Sequence, residues 1–274
     1  MSVRIAKSAG FCFGVSRAVE LVEQAAGSGK KVATLGPIIH NRHVVDKFRT
    51  LGVGVIDRPD QARPGQTVII RSHGVSRNVY ERLEKQGVEI IDATCPFVKR
   101  IHGIVSRAEE EGKLPVIIGT PTHPEVEGIA GWCSHCEVFA GPEELENWAK
   151  SQNNLKNSSI CMVSQTTSTE SLWKSCGKIA KKEFTNLKIF DTICRATEYR
   201  QSEAAELSEV CQSMVVVGDP KSSNTGRLAM ICREHCDKVF LVDNASDLKA
   251  EDFCGVTDVG ITAGASTPAW IIKE

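Results

Sequence analysis

Six times along the chain, an apolar run rich in Val and Ile ends in small and polar residues and gives way to helical periodicity. The instances are KVATLGPIIHNRHVVDKF (31–48), TVIIRSHGVSRNVYERL (67–83), LPVIIGTPTHPEVEGIAGW (114–132), SICMVSQTTSTESLW (159–173), SMVVVGDPKSSNTGRLAMIC (213–232) and DVGITAGASTPAWII (258–272). The runs do not alternate apolar with polar residues, which predicts strands buried on both faces. Strand, polar loop and helix in succession predict βα units and mainly parallel sheets. The intervals between units are too irregular for a solenoid. They fit three small α/β lobes of two units each: 13–95, 96–193, and 194–274 completed by residues 1–12. The polar stretch KSQNNLKNSS (150–159) predicts a surface loop rather than a domain boundary.

A second pattern overlies the first. Three segments place a cysteine at the start of a helical stretch: GFCFGVSRAVE (Cys12), DATCPFVKRIH (Cys95) and DTICRATEYRQ (Cys194). They lie about one lobe apart, and each has an arginine five or six residues on, namely Arg17, Arg100 and Arg200. Pro96 suits a first helical turn. A thiol at a helix N-terminus sees the positive end of the helix dipole, which favours the thiolate a metal needs. Structural zinc favours four ligands, often in close C-x-x-C pairs. Three widely spaced cysteines fit an iron–sulfur cluster better, and three ligands on a four-iron cluster would leave one iron open. The plainer alternative is three core cysteines.

The chain has eleven cysteines, an odd number, and no secretory or membrane-spanning stretch, so the expected compartment is the cytoplasm and the thiols are expected reduced or metal-bound. WCSHC (Cys133, Cys136) is a C-x-x-C, and ICREHC (Cys232, Cys236) has helical i, i+4 spacing. The two pairs together could form a zinc site; Cys161, Cys176, Cys211 and Cys254 read as packing. With 33 basic and 34 acidic residues, the balance gives no footprint for nucleic acid or an anionic membrane.

In open α/β sheets ligands bind beyond the carboxyl ends of the strands. Those ends carry His40, His73, Ser222, Ser223, Asn224 and Ser266. Hydroxyl, amide and imidazole donors at helix starts suit an anion, although Ser, Asn and Thr also serve there as N-caps. Four such loops favour a diphosphate. No phosphate-binding G-x-x-x-x-G-K-[ST] or dinucleotide G-x-G-x-x-G motif is present. Glu125, beside His123 in THPEVEG, is a plausible proton donor, but the spacing is generic; Thr166 in SQTTST either relays a proton or caps the next helix.

Taken in order, AGFCFGV, GPIIHN, RSHG, DATCP, HPEVEG, SQTT, CRATEYRQ, SSNTGRL and AGASTP resemble the LytB (IspH) family, the 4-hydroxy-3-methylbut-2-enyl diphosphate reductases of the methylerythritol phosphate route to isoprenoids. The resemblance spans the chain. It implies a trefoil of three α/β lobes around a central 4Fe-4S cluster, held by Cys12, Cys95 and Cys194, with one open iron that air removes to leave 3Fe-4S. It implies that His40, His73, Ser222, Ser223, Asn224 and Ser266 hold the diphosphate, and that His123, Glu125 and Thr166 surround the terminal hydroxyl, which binds the open iron. Two electrons and two protons then release water and give isopentenyl and dimethylallyl diphosphate, with Glu125 as the proton source. Lacking any flavin or nicotinamide fingerprint, the chain is expected to take electrons from a ferredoxin- or flavodoxin-type protein. Its departures from the family are the Cys133–Cys136 pair and Thr225, where serine is commoner; no appended RNA-binding domain is expected. A non-redox dehydratase and an iron–sulfur sensor of a phosphorylated ligand are the competing readings.

Overall fold

The computed structural model describes residues 1–151 and 158–274, so most of the expected 150–159 surface loop lies outside the described residues. Three four-stranded parallel sheets organise them. The first has the order β1 (Ser2–Ile5), β12 (Asp258–Ala263), β10 (Ser213–Val217), β11 (Val239–Val242). The second runs β3 (Gly54–Ile56), β2 (Val32–Leu35), β4 (Thr67–Ile70), β5 (Glu89–Asp92). The third runs β7 (Glu137–Phe139), β6 (Leu114–Ile118), β8 (Ser159–Ser164), β9 (Asn186–Ile189).

The six apolar runs are the six inner strands, a pair in each sheet. Residues of β2, β4 and β10 are buried throughout, and β6, β8 and β12 nearly so. A strand covered on both faces must be apolar at every position, because successive side chains point to opposite faces. In β10, Met214 and Val216 join a core with Ala204, Leu228 and Cys232, while Val215 and Val217 join one with Val242, Val259 and Ile271. In β6, Val116 and Ile118 pack with Leu145 and Trp173, and Ile117 packs with Ile101 and Ile129 on the other face. Truncating such a side chain to alanine costs about 2–5 kcal/mol.

The helices needed here are α1 (Phe13–Ala26), α2 (Arg42–Thr50), α4 (Pro96–Glu110), α5 (Pro124–Ala130), α8 (Arg195–Val210) and α9 (Ser223–His235). The chain divides into two compact units. Unit 1 comprises 1–23, 37–53 and 195–274 and holds the first sheet; unit 2 comprises 24–36 and 54–194 and holds the other two. Among the described residues, no helix is long and apolar enough to cross a membrane.

Candidate functional site

Each sheet has one edge strand that leads to a cysteine opening a helix. β1 leads to Cys12 and α1, β5 to Cys95 and α4, and β9 to Cys194 and α8. The backbone treats the three alike. Cys12 N–H donates to Ala265 O (3.3 Å), Cys95 N–H to Ser72 O (2.9 Å) and Cys194 N–H to Thr166 O (3.0 Å). Each acceptor stands two residues past the end of the neighbouring inner strand, β12, β4 or β8. All three cysteines are half-buried, so their thiols are neither core filler nor fully in water. One local structure, built three times, sets a sulfur at a helix N-terminus beside a strand-end loop.

Different side chains hold the three in place. In unit 1, the buried Arg200 on α8 donates to Ser8 O (3.1 and 2.6 Å) and Gly10 O (2.8 Å). Glu203 on the same helix accepts the N–H groups of Lys7 and Ser8, each at 2.8 Å. Together they clamp the segment that ends at Cys12. In unit 2, Asp92 accepts Thr94 N–H (2.9 Å) and pairs with Lys99, bracing the turn into Cys95. Burial pushes the Asp92 carboxyl up, but the hydrogen bonds from Lys99 and Thr94 outweigh it and hold it below the ordinary range. Gly74, at φ +74°, allows the close approach here: a Cβ on it would stand 2.7 Å from His102 and 2.9 Å from Thr94. Before Cys194, Thr192 Oγ1 both accepts Ser164 N–H and donates to Ser164 O, each at 2.7 Å.

Unit 2 brings His73, His123, Glu125 and Thr166 together. The rings of His73 and His123 meet edge to face at 5.5 Å. His123 caps α5, its Nδ1 accepting Glu125 N–H at 3.1 Å. Glu125 is 3 % exposed. Its Oε1 accepts Thr166 N–H at 2.7 Å and its Oε2 accepts the Thr166 hydroxyl at 2.8 Å. Thr166 thus hydrogen-bonds Glu125 and supplies the carbonyl that receives Cys194 N–H. It does not cap the following helix; that position belongs to Thr169.

Unit 1 gathers a different set. Ser266 Oγ donates to His40 O at 2.9 Å and stands 3.5 Å from Ser222 Oγ. Ser222 is the N-cap of α9, accepting Thr225 N–H at 3.4 Å, so Ser223 and Asn224 lie in the first turn. The Asn224 side chain is 4 % exposed, and neither its Oδ1 nor its Nδ2 has a hydrogen-bond partner among the described residues. A buried amide left so costs about 1–3 kcal/mol, which a ligand at this helix start would recover. Ser223 sits to the side, 3.4 Å from Arg227 Nε. Gly218 and Gly264 make room for the loops: a Cβ on Gly264 would lie 2.1 Å from Thr225 Oγ1, and one on Gly218 2.6 Å from Thr267 Oγ1.

The cysteines expected to pack do so, except Cys254, which is exposed. Burial pushes Cys161, Cys176 and Cys232 up to about 11. Cys232 and Cys236 belong to the unit 1 core, with their sulfurs turned to the carbonyls of Ala204, Cys211 and Lys238, which favours packing over zinc. The supports Arg200, Glu203 and Asp92 escape sequence reasoning as site residues. The recurring arginine after each cysteine is the one available signal, and at Arg200 it marks a support of the Cys12 segment.

Three parallel α/β sheets, each with a cysteine at the same local position, define the class: an α/β protein built from repeated lobes. The LytB protein family profile matches residues 3–274, and the chain belongs to that family. It is 42% identical to a 4-hydroxy-3-methylbut-2-enyl diphosphate reductase from a Thermoanaerobacter species, over 100% of this chain and 95% of the relative. It shares the fold of the (E)-1-hydroxy-2-methyl-but-2-enyl-4-diphosphate reductase of Plasmodium falciparum (TM-score 0.93, 27% identity, 99% of this chain and 85% of that one). A second solved structure, titled as (E)-4-hydroxy-3-methyl-but-2-enyl diphosphate reductase, the terminal enzyme of the non-mevalonate pathway, is 40% identical with a TM-score of 0.72 over 100% of this chain and 97% of that one.

Proposed function

We propose that this LytB protein reduces (E)-4-hydroxy-3-methylbut-2-enyl diphosphate to isopentenyl and dimethylallyl diphosphate, consuming two electrons and two protons and releasing water. Cys12, Cys95 and Cys194 would hold a 4Fe-4S cluster with one iron open. The observation that carries this is their threefold local equivalence, because core cysteines have no need of the same backbone bond in every sheet. The donor set fits the group: three half-buried thiols, each at a helix N-terminus that favours thiolate. When bound, the cluster supplies the electrons and a Lewis-acidic iron.

The chain's own residues do the rest. His40, His73, Ser222, Ser223, Asn224 and Ser266 would hold the diphosphate. Neutral donors and a helix start suit an anion that is costly to bury unless fully hydrogen-bonded. His123, Glu125 and Thr166 would stand at the substrate's terminal hydroxyl. With Glu125 protonated the bond turns round: its Oε2–H donates to Thr166 Oγ1, and that proton passes across as the Thr166 hydroxyl releases its own toward the substrate. Holding Glu125 out of bulk water keeps this proton path short.

The electrons would come from an external ferredoxin- or flavodoxin-type protein, in the cytoplasm. Three lobes, bounded at 13–95, 96–193 and 194–274 with 1–12, remain our reading of the domains. The test is anaerobic turnover of the allylic diphosphate with dithionite-reduced methyl viologen, alongside iron and acid-labile sulfide analysis. About four irons per chain and reductant-dependent loss of the hydroxyl support the proposal. Water loss without reductant would replace it with a dehydratase; binding without turnover would replace it with a sensor.

A further inference from the structure

Cys133 and Cys136 have no part in the chemistry above, yet neither is core filler: both are half-buried, where Cys161 beside them is 1 % exposed. They occupy the turn from the end of α5 into β7. That turn is held at two places. Trp132, just before it, donates its Nε1–H to Val75 O at 2.9 Å and stacks on His102 with ring centres 5.1 Å apart. Within it, the N–H groups of Ser134 and His135 both donate to the Glu109 carboxylate on α4. A turn fixed in this way keeps its two thiols together, each within direct reach of the other.

We propose that Cys133 and Cys136 form a reversible disulfide by exchange with a low-molecular-weight disulfide. The thiolate of one attacks one sulfur of the oxidant, forming a mixed disulfide and expelling one thiolate. The other then loses its proton and attacks the first cysteine's sulfur, forming the internal disulfide and expelling the second thiolate. Two protein thiols are oxidised and one small disulfide is reduced to two thiols. The geometry carries this: two half-buried thiols stand at C-x-x-C spacing on a braced turn, close enough to interact directly.

Oxidation also removes a structural bond. The Cys133 thiol donates to Ala130 O, at the end of α5, at 3.4 Å. The first turn of that short helix carries Glu125, so the redox state of the pair bears on the helix that positions the carboxylate.

The site is testable independently of cluster and turnover. Trypsin releases Leu114–Lys150, which contains Cys133 and Cys136 and no other cysteine. The full chain, purified anaerobically with its cluster, is equilibrated in glutathione buffers of rising oxidised fraction, quenched with acid, alkylated and mapped by mass. We expect this peptide to pass from doubly alkylated to an unalkylated form two hydrogen masses lighter. In Cys133→Ser and in Cys136→Ser the remaining cysteine should instead take up one glutathione and form no internal disulfide. A peptide that stays doubly alkylated in every buffer would overturn the disulfide, as would a wild-type peptide that carries glutathione on both cysteines in place of the internal bond.

Discussion

The two compact units present buried polar groups in opposite states. In unit 1, the Asn224 amide is buried with neither atom hydrogen-bonded among the described residues. In unit 2, Glu125 is as deeply buried, but both its oxygens accept hydrogen bonds from Thr166. An unsatisfied group weakens the free protein and gains when a ligand arrives. A satisfied carboxylate keeps its position whether or not a ligand is there. Under the proposed function the difference separates two tasks: unit 1 would take up the anion, and unit 2 would hold the proton donor in place.

The largest effect should come from the cysteines that belong to neither description. Cys95→Ser should lose cluster iron and all reductive turnover, whereas Cys176→Ser, in a sheet core, should keep both and lose only about 1–2 kcal/mol of stability. Iron content and urea midpoints check the pair. Next, Asn224→Ala should raise KM by roughly tenfold to a hundredfold with little change in kcat. Its Tm should hold or rise, because a buried unsatisfied amide has been removed. A fall in Tm would assign Asn224 a structural role and break the comparison.

Arg200→Met should cost about 3 kcal/mol, since it strips the donors from the buried Ser8 and Gly10 carbonyls. Iron loss in air should be faster in that variant, because the segment leading to Cys12 is loosened. The smallest effect is a pH slope in unit 2. Burial pushes His102 down from 6.5 to about 4. Between those values the unfolded chain binds the proton and the folded one does not, so stability falls as pH drops from about 6.5 to 4. Between pH 7 and pH 5 the loss is on the order of 2 kcal/mol. His102→Leu should flatten that slope in urea midpoints taken at pH 7 and pH 5.

The inner strands were legible because burial on both faces forces an unbroken apolar run, as in MVVV of β10. The edge strands were not. β1 is exposed along its length and β9 alternates, so VRI and NLKI carry no comparable signal. Cys12, Cys95 and Cys194 were legible as helix openers, but not the shared bond to the loop of the adjacent strand, because that depends on strand order. Glu125 could be read only as one carboxylate among many. Its burial against Thr166, 41 positions away, is a tertiary fact. Arg200 was legible as a recurring arginine but its role, like that of Glu203, was not, because both act on residues more than 190 positions distant.

The division of tasks is tested most directly by steady-state kinetics of Glu125→Gln, with the cluster shown to be intact by its iron and sulfide. Glutamine keeps the size and can still accept from Thr166, but it carries no transferable proton. The account predicts kcat lower by about a hundredfold to ten-thousandfold at nearly unchanged KM. A variant with near-normal kcat and a raised KM would make Glu125 a binding group and remove the distinction between the two units.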